Sequence, residues 1–200
     1  MPSSVNSIFS SSNAVYKGVV KWGQSVPISR PGVYAVSSSS DPTFIQDSIH
    51  QVNIDHKVVE QWVSSLPRFE LDKVQNPNFI DVIDRLMSFW LQDEHIVYIG
   101  KATSLRSRIS QYYRTPLGAR RPHAGGHWIK TLSNLNSLFV HYGISDQPKK
   151  TEDLMLQEFI DKVSNETLNQ LFDPDHPFPF ANLEYPQGNR KRHGIGKSKQ

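Results

Sequence analysis

Five residues in the eighteen-residue stretch 97–114, VYIGKATSLRSRISQYYR, are of types that could do chemistry together. Tyr98 lies in a short apolar run, residues 96–99, the size of a buried strand. Gly100 reads as its end, Lys101 follows at once, and a helical pattern starts near Leu105. Arg108 and Tyr112 are four apart on that helix, so one face carries both. Phenols, cations and a glycine that permits close backbone approach, gathered at one strand–helix junction, suit a phosphate ligand.

A carboxylate follows downstream. Residues 152–164 read as a helix with Thr151 as its N-cap and a buried stripe of Met155, Leu156, Phe159, Ile160 and Val163. Glu152 heads that stripe, where a carboxylate is costly unless it meets a cation. On its position alone it also reads as a first-turn glutamate favoured by the helix dipole.

The elements that must position these groups follow in order. Residues 1–14 are serine-rich and read as a flexible N-terminus. Residues 15–22 read as a strand or arm burying Val19, Val20 and Trp22, and residues 32–36, GVYAV, as a strand of β-branched and aromatic residues. Between 41 and 93 the apolar spacing predicts two amphipathic helices, 56–66 and 79–91, joined by a loop at 67–77. Trp62 and Trp90 are read there as core rather than as base-stacking platforms. After the helix at 105–113 come a loop (115–126), a short helix (128–132), and a third strand at 137–143.

Tyr98-Ile99-Gly100, with Gly32-Val33-Tyr34 upstream, resembles the paired motif of the GIY-YIG nuclease family. Lys101, Arg108 and Tyr112 stand three, ten and fourteen residues after Tyr98. Those offsets are similar to the catalytic helix of the bacterial excision-repair nuclease subunit. The resemblance covers about residues 32–182 and is interrupted by the helical insertion, where the family has a short turn. It implies an α+β fold, a three-stranded antiparallel sheet flanked by helices, and one nuclease domain spanning residues 1–200. It also implies a DNA endonuclease using Mg²⁺ or Mn²⁺, with Glu152 as metal ligand, Arg108 on the scissile phosphate and Lys101 as a further charge. Tyr34 or Tyr98 would be the base, and Tyr112 would bond phosphate or order the base. Gly32 and Gly100 would be structural, as would Asn182 in Phe178-Pro179-Phe180-Ala181-Asn182.

Hydrolysing a phosphodiester requires a deprotonated water, stabilised phosphate charge and a neutralised leaving 3′-oxygen. One divalent ion and an arginine can meet the last two demands. A free phenol, with a pKa of about 10, needs help to serve as base at neutral pH.

The absence of cysteine excludes disulfides and thiolate metal sites, which fits a cytoplasmic protein. No stretch reaches the length of a membrane span, so no membrane partner is expected. Net charge is only +3, yet residues 101–130 hold seven Lys/Arg and no acid. That segment reads either as a DNA-facing surface or as a solvated one. Its candidate DNA contacts are Arg106, Arg114, Arg120, Arg121, His123 and His127. The two histidines lack a third ligand nearby, so zinc is not expected. Arg190, Lys191 and Arg192, in a basic tail at 184–200, would contact backbone phosphates or remain solvated. With no separate DNA-binding module, the architecture suggests restriction or phage defence. The rivals are a repair or structure-specific nuclease and an inactive DNA-binding module. A homodimer is expected if the recognition site is a palindrome.

Overall fold

Ser4 opens the first helix: its hydroxyl accepts from the Ser7 amide at 3.0 Å. Helix α1, Val5–Ser11, buries Val5, Ile8 and Phe9. The segment read as flexible is therefore folded, because those three residues at i, i+3 and i+4 outweigh its serines. This computed structural model describes residues 2–46, 48–49, 52–119, 121–122 and 125–197. After α1 come β1, Val15–Lys21, and β2, Gly32–Ser37. Val19, Val20 and Trp22 are only half-buried, because β1 is an edge strand.

The insertion contains α2, His56–Ser65, capped by Asp55, and α3, Phe79–Met87, capped by Asn78. The segment 67–77 is not a plain loop. It forms a hairpin of β3, Phe69–Leu71, and β4, Val74–Gln75, turned through Asp72 and Lys73 at φ 51° and 69°. Strand β5, Ile96–Ala102, runs through Gly100 rather than ending there, and α4, Leu105–Arg114, follows. A 3₁₀ turn spans His127–Thr131, and β6 spans Phe139–Ile144. Helix α5, Pro148–Ile160, starts earlier than Thr151: Gln147 is its N-cap and Pro148 its first residue, where proline fits. The short α6, Asn165–Leu168, and β7, Ile195–Lys197, complete the chain.

The fold is α+β, and the described residues form two antiparallel sheets. One has four strands, not three, in the order β1-β6-β2-β5; the other has the order β4-β3-β7. The larger sheet separates two cores. Tyr34, Val36, Tyr98 and Val140 pack with α4 and the insertion, while Val33, Ala35, Ile96 and Ile99 pack with α1 and α5.

The described part of the tail, residues 184–197, is tied into this frame. Strand β7 pairs with β3 of the insertion, and the Arg85 guanidinium bonds both Asp72 and the His193 carbonyl.

Glu94, at the foot of β5, is 3% exposed, and its carboxyl is pushed up to about 8 by burial, then by Asp93. The Ser3 amide and Lys162 offset part of this. Folding therefore favours the protonated form. Its penalty is absent below the unfolded pKa and grows as pH rises through the folded one. Glu94→Gln should stabilise the protein by roughly 2–3 kcal/mol at pH 8, raising the thermal midpoint by about 5–10 °C, and change little at pH 4. Thermal melts at the two pH values measure this.

Candidate active site

Gly100 stands opposite Tyr34 in the β2–β5 ladder. A Cβ there would lie 2.8 Å from both the Tyr34 and Tyr98 rings, so only glycine lets the two phenols close over the strand. The Tyr34 and Tyr98 ring centroids are 5.9 Å apart, and α4 brings Tyr112 to 5.3 Å from Tyr98 and 6.4 Å from Tyr34. Tyr112 donates to the Gly126 carbonyl at 2.5 Å. Gly126 has φ +67°, and a Cβ there would strike the Tyr112 hydroxyl, so this contact also needs glycine.

Three phenols in one buried cluster hold their protons firmly. Burial pushes the Tyr34 and Tyr112 hydroxyls up, and their neighbouring phenols add to it. Tyr98 is pushed up to about 12, first by burial and then by the charge of Glu152. The Tyr34 phenol and the Arg108 guanidinium pull Tyr98 back down. Tyr34 Oη is buried and has no partner with hydrogen-bond geometry, although the Tyr98 phenol is near enough to perturb it. Arg108, one turn before Tyr112, donates to the Pro122 carbonyl at 3.2 Å.

Glu152 leaves α5 towards the same strand and forms an ion pair with Lys101. Its carboxylate side chain is 13% exposed, against 44% for the lysine. Burial raises the Glu152 carboxyl, and the Lys101 bond works against this. Tyr98, Lys101 and Glu152 line one cavity of about 730 Å³, together with Lys149, Asn182 and Arg190. Arg108 lines a second cavity of about 520 Å³ with Ser104, Ser107 and Gln111, and Lys101 and Lys149 belong to both. Tyr34 and Tyr112 line neither cavity; they stand behind Tyr98. The chain thus brings a phenol, a carboxylate and an ammonium to one concave surface, with a guanidinium next to it.

No protein-family model matches the chain, and no solved structure matches it significantly.

Among the described residues no group of three or more His, Asp or Glu side chains comes together to hold a metal ion. Three carboxylate residues line the cavity: Asp153, paired with Lys149, Glu184, paired with Arg190, and the largely buried Glu152, paired with Lys101; Glu152 is the one beside Tyr98 and Lys101 that the site offers a divalent cation. Mg²⁺ commonly takes one or two carboxylates, keeps several waters and is completed by substrate phosphate, so this donor set fits it. No helix among the described residues is long and apolar enough to cross a membrane.

Asn182 completes the edge of the sheet. Its Oδ1 accepts from the Ile99 amide at 2.9 Å and its Nδ2 donates to the Ile99 carbonyl at 2.8 Å. The Ala181 amide adds a bond to the Val97 carbonyl at 2.9 Å. A side-chain amide thus does for β5 what a further strand would do. Asn182→Ala leaves two buried backbone groups unpaired. It should destabilise the fold by about 2–4 kcal/mol, read from the shift of the urea midpoint.

The remaining candidates separate by what their charges already touch. Arg106 bonds the Val26 and Pro27 carbonyls and Arg114 the Ser110 carbonyl, while their exposed residues leave room for a second partner. Arg121 is exposed and His127 is buried. Arg120 and His123 lie outside the described residues. Arg190 pairs with Glu184 but keeps a side chain 72% exposed at the cavity wall.

Lys191 is enclosed rather than solvated, against the expectation of an exposed basic tail. It is 4% exposed, donates to the Pro179 and Phe180 carbonyls, and lies over the Phe89 and Trp128 rings. Burial pushes its ammonium down to about 7. Arg192 is bound to Asp173 and Asp175.

Lys149 was missed, although its position three residues before Glu152 places both on one helix face.

Proposed function

We propose that this chain is a divalent-metal-dependent DNA endonuclease of the GIY-YIG kind, acting in restriction or phage defence. The observation that carries the reading is that Tyr98, Lys101 and Glu152 line one cavity. In this reading β6, β2 and β5 with α4 and α5 are the nuclease core. Strand β1 widens it, and β3, β4 and β7 belong to the insertion and the tail that clamps it.

Glu152 would hold Mg²⁺ or Mn²⁺, which when bound would supply Lewis-acid stabilisation of the phosphate and of the departing 3′-oxygen. The chain's own groups do the rest. Tyr98 is the phenol at the cavity surface, so it is assigned as base: the fraction that has released its own proton to solvent takes, as phenolate, the proton of the attacking water and returns to the phenol. The water oxygen bonds to phosphorus as the bond to the 3′-oxygen breaks. Arg108 holds the non-bridging oxygens from the adjoining cavity. Tyr34 and Tyr112 keep their protons and fix the Tyr98 ring. One such site cuts one strand, so double-strand cleavage requires a symmetric dimer or successive nicks.

Incubation with Mg²⁺ and supercoiled plasmid or phage DNA, including genomes with modified bases, tests the reading. Discrete fragments, lost on chelation, are the expected result. Cutting confined to forks or single strands would move the protein to repair. Tight binding with no cutting of any of these DNAs would end the enzyme reading and leave a DNA-binding module.

A further inference from the structure

Lys101 stands in the wall shared by the two cavities. Its backbone is fixed in β5 opposite Val33, while its side chain is 44% exposed. On one side its ammonium pairs with Glu152; on the other lies the cavity that holds Arg108. Lys149, the other cation common to both cavities, is engaged by Asp153 at 3.0 Å. A divalent ion on Glu152 would meet the Lys101 ammonium as a like charge at contact distance.

We infer that Lys101 is an exchangeable internal counter-ion: it occupies Glu152 until a divalent cation takes the carboxylate, and its released ammonium then engages the phosphodiester beside Arg108. The inference rests on the reading of Glu152 as the metal ligand. Metal and phosphodiester binding are then positively coupled through one side chain, and each promotes the other equally. Before metal arrives, the pair keeps a largely buried carboxylate compensated.

The test is a titration of the metal-stripped full chain with Mn²⁺ alone, following free Mn²⁺ by electron paramagnetic resonance. Lys101→Met removes the internal competitor and should bind Mn²⁺ roughly three- to tenfold more tightly than wild type. Lys101→Arg keeps the charge and should stay within about twofold. In a second titration, Mn²⁺ should raise the affinity of wild type for a cleavage-resistant phosphorothioate duplex by more than it raises that of Lys101→Met, which keeps the metal–phosphate contact but has no ammonium to release. Equal or weaker Mn²⁺ binding by Lys101→Met overturns the exchange. Glu152→Gln separates the two levels. If it loses Mn²⁺ while Lys101→Met gains nothing, only the exchange fails. If Glu152→Gln binds Mn²⁺ as wild type does, the metal assignment itself fails.

Discussion

Tyr98→Phe should slow DNA cleavage about 10³-fold, within the range ascribed to a positioned general base. The substitution removes one hydroxyl from a ring that keeps its packing against Tyr34 and Tyr112. Tyr34→Phe should cost less than Tyr98→Phe, because its hydroxyl lines neither cavity and acts only through the Tyr98 phenol, whose pKa it helps to lower. The pH dependence supplies an independent sign. Tyr98 is pushed up to about 12, so at neutral pH the phenolate is scarce. The wild-type single-turnover rate should therefore climb about tenfold per pH unit from pH 7 to 9, and Tyr98→Phe should flatten that slope. A divalent charge on Glu152 offsets the acidic neighbour that helps hold the phenol protonated, so the climb should begin at lower pH as metal saturates. Single-turnover plasmid cleavage across that range measures all three. Tyr98→Phe cutting at more than a tenth of the wild-type rate, with the slope intact, would remove Tyr98 as base.

The parts of the site that were legible are those whose spacing is local. Tyr98, Lys101, Arg108 and Tyr112 lie on one strand and the helix that follows, so strand and helix periods alone place them. The two insertion helices were visible for the same reason, and Asp55 and Asn78 cap them. What escaped depended on contacts distant in sequence. The β3–β4 hairpin turns through Asp72-Lys73 with both residues at positive φ, a turn usually marked by glycine or asparagine. Lys191 sits in a run of four basic residues, 190–193, that reads as solvated. Only the fold shows that Phe89, Trp128 and two carbonyls enclose it. The choice between Tyr34 and Tyr98 was equally closed to sequence, because both occupy the same kind of strand position. Which one reaches the cavity depends on β5 lying at the sheet edge while β2 lies inside it. The α1 signal was present in Ser4, Val5, Ile8 and Phe9 but was masked by the serines around them.

Gly32→Ala should be the most damaging single-methyl change in the fold, costing about 3 kcal/mol or more. Gly32 begins β2, beside β6 on one side and β5 on the other. A Cβ there would stand 2.1 Å from the Gly143 carbonyl oxygen and 2.9 Å from Leu105 Cδ1. A flexible side chain could turn away, but the carbonyl belongs to the neighbouring strand's backbone. Relief therefore requires β2 and β6 to part, or Leu105 and the start of α4 to lift off the sheet. Either movement reaches the site, because α4 carries Arg108 and Tyr112 while β2 carries Tyr34. Gly23→Ala is the matched control: φ is +89°, but no atom lies within 4 Å of its Cβ. It should lose only the backbone preference, about 1 kcal/mol. Urea unfolding of the two variants separates contact from conformation. The first glycine of the motif is then required for strand–helix closeness rather than for a turn. Equal midpoints for Gly32→Ala and Gly23→Ala would refute that assignment.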